Sequence, residues 1–510
     1  MLKRKWFDND KILLSLLIFL SAAVRIFFLI KFDNMPGDAA GHVERALRIL
    51  EDPSLFLNWD GNCSTLYKYG IASFMWFWHD PVLAPRVFTV LFGIFLVVPY
   101  YGTLKILFDR TIAFFSTLTL VFYPIHFIQS SVTTSNAVYY FFLFGSFYYL
   151  FSYKIVKKRL SALLLSVLSL NVASLLRFEC WIFIPVFFML LWPKGKKMAF
   201  LFLILSLVFP CAVLVLNQFF CHDFFYSFNA ASRTANAEIA MGRFPYDPRW
   251  WSWLDLLWQN SGPSLVAGGL SGIVLSFLTR QKRQLSVFFL VLLLAFTINT
   301  VSARMVVATR YSVIFGLLLI PYTWFFVDRL LTFVGLRRIV FFILILLSIL
   351  TVDFAQALWK EIPRTTELLC ITPPGIKNIA RWLKDHVRAG DFLVIEADSH
   401  DGFPSNILLR SGIRSKKCML VYAPLFENGF FKNKEKAKKY LLTMRPKYLV
   451  LNSEGYLKKV LNFDLSQKNQ SLEGISFKVV FEQYEPLFEI AKYIIYEISY
   501  PESPGGGGDA

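Results

Sequence analysis

Charged residues and cysteine motifs are scarce in this chain of 510 residues. Charged side chains make up 17% of it, which is low for a water-soluble protein. The six Cys show no C-x-x-C spacing, so the sequence offers no zinc or redox motif. It also lacks a P-loop or Rossmann glycine fingerprint, which disfavours a nucleotide substrate. Without an internal repeat, an inverted-repeat transporter gains no support.

Apolar residues are abundant instead, and they occur in long runs. They make up 56% of the chain, and 54 of them are Phe. The runs around Phe288 and Phe341 approach the roughly 20 residues needed to cross a bilayer. We therefore predict a polytopic α-helical membrane protein with about eleven transmembrane helices. The predicted spans are 12–32, 82–104, 111–130, 136–153, 160–176, 180–193, 198–220, 262–279, 285–303, 311–328 and 339–357.

The basic residues, which give a formal net charge of +18, cluster between alternate spans. Examples are the segments 154–159 and 194–197. Because positive charge marks the cytoplasmic side, this pattern predicts a multi-pass protein of the cell (inner) membrane with a cytoplasmic N-terminus. The clusters encode topology and form no coherent patch, so we expect no nucleic-acid partner.

Three regions follow from this topology. Residues 1–357 form the predicted transmembrane domain, whose large outer loops are 33–81 and 221–261. In residues 358–500, helix-like segments alternate with short apolar strands, which predicts a small soluble extracytoplasmic α/β domain. The glycine-rich tail 501–510 is predicted to be disordered.

Asp38 stands where the first outer loop begins a predicted amphipathic helix. The alanines and other apolar residues that follow it fall on one side of that helix, as in a helix lying on a membrane surface. One interpretation makes Asp38 a helix N-cap. The other makes it a general base that takes the proton of an acceptor hydroxyl. His42 follows at i+4 and lies on the same helix face as Asp38. It would either assist or orient Asp38, or belong to the solvated side of the helix.

Four arginines lie where the positive-inside rule does not expect them. Arg177, Arg304 and Arg310 are at predicted outer edges, and Arg25 lies within the first span. Arginine binds phosphate through paired hydrogen bonds, which indicates a site for an anionic lipid headgroup. The alternatives are snorkelling to headgroups, or an ion pair such as Arg177 with Glu179.

Two further groups carry weaker predictions. Arg243 lies in the second outer loop, beside tryptophans that are typical of an interfacial aromatic belt. A polar group follows a predicted strand and consists of Asp398, His400 and Asp401. A polar turn is a simpler interpretation of this group than a catalytic or metal-binding cluster.

The order of several motifs resembles the GT-C superfamily of membrane glycosyltransferases that use polyprenyl-phosphate sugars. Within it the chain looks most like the bacterial branch of protein O-mannosyltransferases and the lipid A aminoarabinose transferase. The oligosaccharyltransferase branch ranks lower, because WWSWLD does not match its WWDYG signature. The matching positions are Arg25, Asp38 in GDAAGH, Arg86, the segment around Pro124, Arg177 with Glu179, and Arg310 with Tyr311.

The resemblance implies transfer of a sugar from a polyprenyl-phosphate donor to a lipid, glycan or protein acceptor on the outer side, with inversion. Asp38 would be catalytic, and the arginines with Tyr311, Glu179 and His42 would bind substrate. Many members have a second carboxylate where this chain has Ala39, and an acid where it has Ser135 and Asn136. We therefore predict no cofactor and leave dependence on a divalent metal open. A flippase for a lipid-linked substrate and a non-catalytic assembly protein are the alternatives.

Overall fold

A computed structural model gives the architecture of the chain. It describes residues 9–33, 35, 37–54, 65–156, 159–240, 249–280, 282–302, 304–305, 307–334, 338–355, 374–388, 390–397, 403–412, 418–422, 433–452, 456–464, 466–472, 474–485 and 490–501. The chain divides into two compact units. The first unit comprises residues 1–31, 56–71 and 86–365, and the second comprises residues 32–55, 72–85 and 366–510. Residues of the first loop therefore group with the C-terminal region, and the predicted domain boundary at 357 stays a prediction.

Helices dominate the chain as far as residue 355. They are α1 (Asp10–Lys31), α2 (Gly37–Glu51), α3 (Thr65–Trp78), α4 (Leu83–Phe95), α5 (Val97–Leu107), α6 (Arg110–Phe122), α7 (Pro124–Ser131), α8 (Ser135–Phe151), α9 (Leu160–Leu176), α10 (Phe183–Leu191), α11 (Lys196–Cys221), α12 (Tyr226–Ala240), α13 (Ser252–Ser261), α14 (Pro263–Leu278), α15 (Gln284–Val301), α16 (Thr309–Val334) and α17 (Arg338–Ser348).

Several of these helices are suited to a bilayer. Among the described residues, five helical stretches are long and apolar enough to cross a membrane: Asp10–Lys31, Leu83–Leu107, Lys196–Cys221, Gln284–Val301 and Arg310–Thr332. The pair α6 and α7 makes a sixth if its two helices, bent by 55°, form one span. The predicted class, a helical membrane protein, agrees with this, but the count of about eleven spans is not confirmed.

The bend between α6 and α7 has a local cause. Tyr123 is extended, with φ −67° and ψ 112°, as expected of a residue before proline. Pro124 then begins α7, where its missing N–H costs nothing. The predicted continuous span 111–130 is therefore wrong in this detail, because one apolar run contains two helices.

Helix α16 lies in the middle of the first unit and packs closely against α14. Gly272 permits that contact, because a Cβ at this position would lie 2.0 Å from the Tyr322 carbonyl oxygen. The Tyr322 hydroxyl in turn donates to the Lys282 carbonyl (2.6 Å) and accepts from the Ser286 amide (2.7 Å). Small residues at such a helix interface let two backbones approach, as is common in membrane proteins.

Gly272→Ala is expected to destabilise the protein by about 1–3 kcal/mol, because the backbone of α16 cannot yield as a side chain would. Gly145→Ala is the matched control, since a Cβ there meets the Ser169 side chain at ordinary contact distances, with Oγ at 3.5 Å and Cβ at 3.8 Å. Thermal unfolding of both variants in detergent measures the difference. Equal midpoints for the two variants would contradict the tight contact between α14 and α16.

The second unit contains a sheet in the order β2-β1-β3-β6-β5-β4. Strands β1, β2 and β3 are parallel neighbours, and the pairs β3–β6, β5–β6 and β4–β5 are antiparallel. Its elements are α18 (Pro374–His386), β1 (Leu393–Ala397), α19 (Phe403–Ser411), β2 (Cys418–Tyr422), α20 (Lys434–Met444), β3 (Tyr448–Asn452), α21 (Tyr456–Leu461), β4 (Asn469–Leu472), β5 (Ile475–Glu485) and β6 (Ile490–Ser499).

Alternation along the strands produces a core on each face of this sheet. Leu393 and Ile395 pack with residues of α18 and α19. Val394, between them, packs with residues of α20 and α21. This period of two is the pattern expected of a strand covered on both faces. The helix and strand segments predicted within 358–500 are thus present where the structure describes them, while their side of the membrane stays a prediction.

Candidate functional site

Polar side chains are buried along α7 in the first unit. His126, Gln129 and Ser130 are 1%, 8% and 0% exposed. Buried polar groups need hydrogen-bond partners, and these side chains find them on other helices. The break before Pro124 therefore begins a short helix whose polar groups are directed into the protein.

Arg25 of α1 is fully buried beside α7. Its Nε donates to Ser130 Oγ (3.1 Å), its Nη1 to Ser21 Oγ (2.7 Å) and its Nη2 to His126 Nδ1 (2.7 Å). A guanidinium can only donate, so Nδ1 of His126 accepts and its ring proton is on Nε2. All these partners are neutral, and Arg25 has no carboxylate partner in the part of the chain that the structure describes. A buried cation of this kind marks a functional candidate.

Arg177 is the centre of a second polar cluster. Its Nε and Nη2 donate to the two carboxylate oxygens of Glu179, at 3.3 and 2.7 Å. Its Nη1 donates to Asn136 Oδ1 (2.5 Å), and the Asn136 amide donates to Gln129 Oε1 (3.0 Å). The ion pair that the sequence gives as the structural alternative is therefore present. Glu179 and Asn136 also fix the orientation of the guanidinium.

Tyr311 brings a second arginine to this cluster. The Arg177 Cζ lies 4.8 Å from the centroid of the Tyr311 ring, and the Arg310 Cζ lies 5.2 Å from the same centroid. Both arrangements are cation–π contacts. Two guanidiniums thus lie against one ring, and the paired N–H donors of arginine suit a phosphate group.

Tyr140 connects the two groups of residues. Its hydroxyl donates to the Arg310 carbonyl (3.4 Å), and its ring centroid lies 6.2 Å from that of His126. His126 Nε2 is buried and has no hydrogen-bond partner among the described residues. The interior of the first unit therefore contains a row of neighbouring side chains formed by Arg25, His126, Tyr140 and Arg310.

The other predicted site residues lie elsewhere. Arg304 is exposed, and its main-chain amide donates to the Asn299 carbonyl (2.8 Å). Arg243 lies outside the described residues, as do Asp398, His400 and Asp401.

Asp38 is the second residue of α2 in the second unit, and its side chain lies outside the described residues. Helix α2 begins at Gly37, so Asp38 belongs to the first turn rather than to the N-cap position.

Helix α2 buries the apolar face that the sequence predicts. Ala39, Ala40, Val43 and Ala46 are buried in the second unit, and α2 packs against α19. The predicted helix lying on a membrane surface is wrong in this respect, because its apolar side packs against protein. His42 is partly buried on the same helix.

Sequence reasoning missed His126, Gln129, Ser130 and Tyr140. The signal for the first three was the polar stretch HFIQSS within an otherwise apolar run, quoted only as part of a resemblance. Asn136 was noted as a departure from an acidic residue, and the structure shows its amide oxygen accepting from Arg177.

Within the described ranges, no group of three or more His, Cys, Asp or Glu side chains is placed to hold a metal ion. Dependence on a divalent metal stays open, since Asp38 is the predicted catalytic carboxylate and its side chain lies outside these ranges.

Comparison with known proteins yields matches in structure only. No family model matches the chain, and no curated protein matches its sequence. The structure is similar to the Archaeoglobus fulgidus oligosaccharyltransferase in complex with zinc and sulfate, with a TM-score of 0.59 and 12% identity over 86% of this chain and 68% of that one. The oligosaccharyltransferase AglB from the same organism, in complex with an inhibitory peptide and a dolichol-phosphate, gives a TM-score of 0.54 at 12% identity, over 88% of this chain and 70% of that one.

ArnT from Cupriavidus metallidurans bound to undecaprenyl phosphate is similar along nearly its whole length. The TM-score is 0.59 at 12% identity, over 94% of this chain and 97% of that one. The chain therefore shares the fold of these proteins. The two equal TM-scores do not separate the branches, so the lower rank given to the oligosaccharyltransferase branch gains no support.

Proposed function

We propose that the protein is a membrane glycosyltransferase that moves a sugar from a polyprenyl-phosphate donor to an acceptor on the extracytoplasmic side. The observation that carries this proposal is the pair of arginines that contact the Tyr311 ring. The shared fold supports it, since similar structures hold undecaprenyl phosphate or a dolichol-phosphate. The protein would be a multi-pass protein of the inner membrane, with its N-terminus in the cytoplasm.

The charge of the cluster fits the leaving group. In the reaction, the acceptor oxygen attacks the anomeric carbon, and the bond from that carbon to the phosphate oxygen breaks. The electron pair leaves with the lipid phosphate, whose growing negative charge requires cations that are already in place. Arg310 is the proposed phosphate ligand, with Arg177 beside it. Glu179 and Asn136 hold Arg177, and Tyr311 holds both guanidiniums in position.

Asp38 is the proposed base. It takes the proton of the acceptor while the acceptor attacks, and attack opposite the leaving group inverts the anomeric carbon. Its position in the first turn of α2 also suits a carboxylate, because a helix N-terminus stabilises negative charge. His42, Arg243, Arg304 and Arg25 are also proposed to bind substrate.

A lipid transporter is the second candidate. A specific observation favours it: Arg25 is an ionisable residue buried within an apolar span, as in substrate pathways of transporters. The two functions differ in their product, because a transferase makes a new glycosidic bond and a flippase releases its substrate unchanged.

The test uses purified protein, radiolabelled polyprenyl-phosphate sugars and a membrane extract as the source of acceptor. We expect label to move to a new product, and sugar-free polyprenyl phosphate to inhibit this transfer. Free polyprenol of the same length should not inhibit, since it lacks the phosphate that the arginines recognise. Label that crosses liposome membranes without any new product would instead establish the transporter.

A further inference from the structure

In the second unit, Asp33 lies just before the start of α2 and contacts residues of the C-terminal region. Its carboxylate lies 2.7 Å from Lys377 Nζ on α18 and 3.3 Å from Arg410 Nη2 on α19. The same Arg410 nitrogen donates to the main-chain carbonyl of Asp33 (2.5 Å). A bond to the main chain fixes the direction of the backbone, which a side-chain ion pair alone does not do. Asp33 lies only five residues before Asp38 along the chain.

Arg410 is well placed to fix the backbone at Asp33. Its side chain is 18% exposed, whereas Lys377 is 40% exposed. Burial lowers the pKa of the Arg410 guanidinium, and the Asp33 carboxylate opposes that shift. Exposed ion pairs contribute little to stability. The partly buried Arg410, bonded to both the carboxylate and the carbonyl, is therefore the stronger of the two contacts.

Helix α2 itself rests on the same region. Its buried face of Ala39, Ala40, Val43 and Ala46 packs in part against α19, the helix that carries Arg410. Within α2, Glu44 pairs with Arg48 (2.5 Å). The segment at Asp33 and the body of α2 thus both contact helices of the C-terminal region.

We infer that Arg410 and Lys377 are positioning residues, through which the C-terminal α/β region holds the helix that bears Asp38. This inference rests on the proposed function, because it assigns the C-terminal region a role in placing that function's base. The region then acts in the reaction without touching the substrate. A displacement of about 1 Å in a reacting group can cost on the order of 10²-fold in rate.

The experiment compares Arg410→Met and Lys377→Met with Arg381→Met, an exposed arginine one turn further along α18. We expect Arg410→Met to lower kcat about 10- to 100-fold with KM for the lipid donor nearly unchanged, since the phosphate site is intact. Lys377→Met should have a smaller effect in the same direction, and Arg381→Met none. Arg410→Lys, which keeps a donor, should recover part of kcat.

Hydrogen exchange of the α2 amides in the full-length protein gives a second readout that does not require turnover. Exchange across Gly37–Glu51 should rise in Arg410→Met and not in Arg381→Met. If the wild type transfers no sugar, the proposed function fails. The exchange measurement would still show whether Arg410 holds α2 in place. Unchanged exchange, or a kcat of Arg410→Met equal to that of the wild type, would overturn the inference.

Two more variants cover the case in which Arg410→Met does not fold. Asp33→Asn removes the ion pairs without disturbing the packing of α19, and it should reproduce the loss of kcat. Asp33→Lys combined with Lys377→Asp reverses one pair and should exceed the activity of Asp33→Lys alone. If Asp33→Asn keeps the kcat of the wild type and the charge reversal restores no activity, these contacts are structural only and the inference is overturned.

Discussion

Replacement of Asp38 by asparagine is expected to lower sugar transfer by about 10²- to 10⁴-fold, the usual contribution of a general base. Asparagine keeps the size of the side chain, and loss of a negative charge from the first turn of a helix costs only about 0.3–1 kcal/mol. Its amide cannot accept the acceptor's proton. The substitution therefore separates the two interpretations of this residue, since a role confined to the helix start would leave transfer unaffected.

The control for this variant is Asp52→Asn, just past the other end of α2. Asp52 accepts hydrogen bonds from the Ser54 amide (3.2 Å) and hydroxyl (2.5 Å), which is a local turn without a proposed catalytic role. Turnover and thermal unfolding are measured for both variants. Full activity of Asp38→Asn would remove Asp38 from the mechanism, even if the protein proves to be a transferase.

Arg310→Met should weaken binding of the lipid phosphate and lower kcat by about 10²- to 10³-fold. The cluster would keep Arg177 and Glu179, whose charges cancel, while the proposed ligand of the developing phosphate charge would be lost. Methionine retains much of the apolar length of arginine against the Tyr311 ring. The loss is therefore expected in binding and turnover more than in folding.

Arg329→Met is a matched control on the same helix. Arg329 also stacks on an aromatic ring, with its Cζ 5.4 Å from the centroid of Phe325, but it lies near the opposite end of α16. Binding of radiolabelled undecaprenyl phosphate and rates of transfer are compared for the two variants. An equal effect of both substitutions would mean that Arg310 acts through general charge and not as a ligand.

The sequence predicts helices well wherever an apolar run is long. The runs that begin near residues 12, 198 and 285 become α1, α11 and α15, each long enough to cross a membrane. It predicts their number less well, because shorter helices such as α9 and α14 depend on neighbours for burial. The bend before Pro124 shows the same limit, since hydropathy does not register a change in backbone direction.

For the site, sequence reasoning succeeded where partners are close along the chain. Arg177 and Glu179 are two residues apart, and Arg310 adjoins Tyr311. It could not find the contact of Arg25 with His126, because 101 residues separate them. Nor could it find that Asn136 orients Arg177, since that pairing joins the start of α8 to the end of α9. Such contacts depend on how helices pack, which a local pattern does not encode.

The separation of Arg25 from its partners also affects how the protein is made. Its hydrogen-bond partners His126 and Ser130 follow 101 and 105 residues later in the chain. At typical rates of synthesis this delay is roughly 5–20 s. During that interval α1 carries a charge without these partners, and such a charge costs about 2.5–3.5 kcal/mol at the centre of a span and less towards its end. We therefore expect α1 to reach its final position only after α7 has been synthesised.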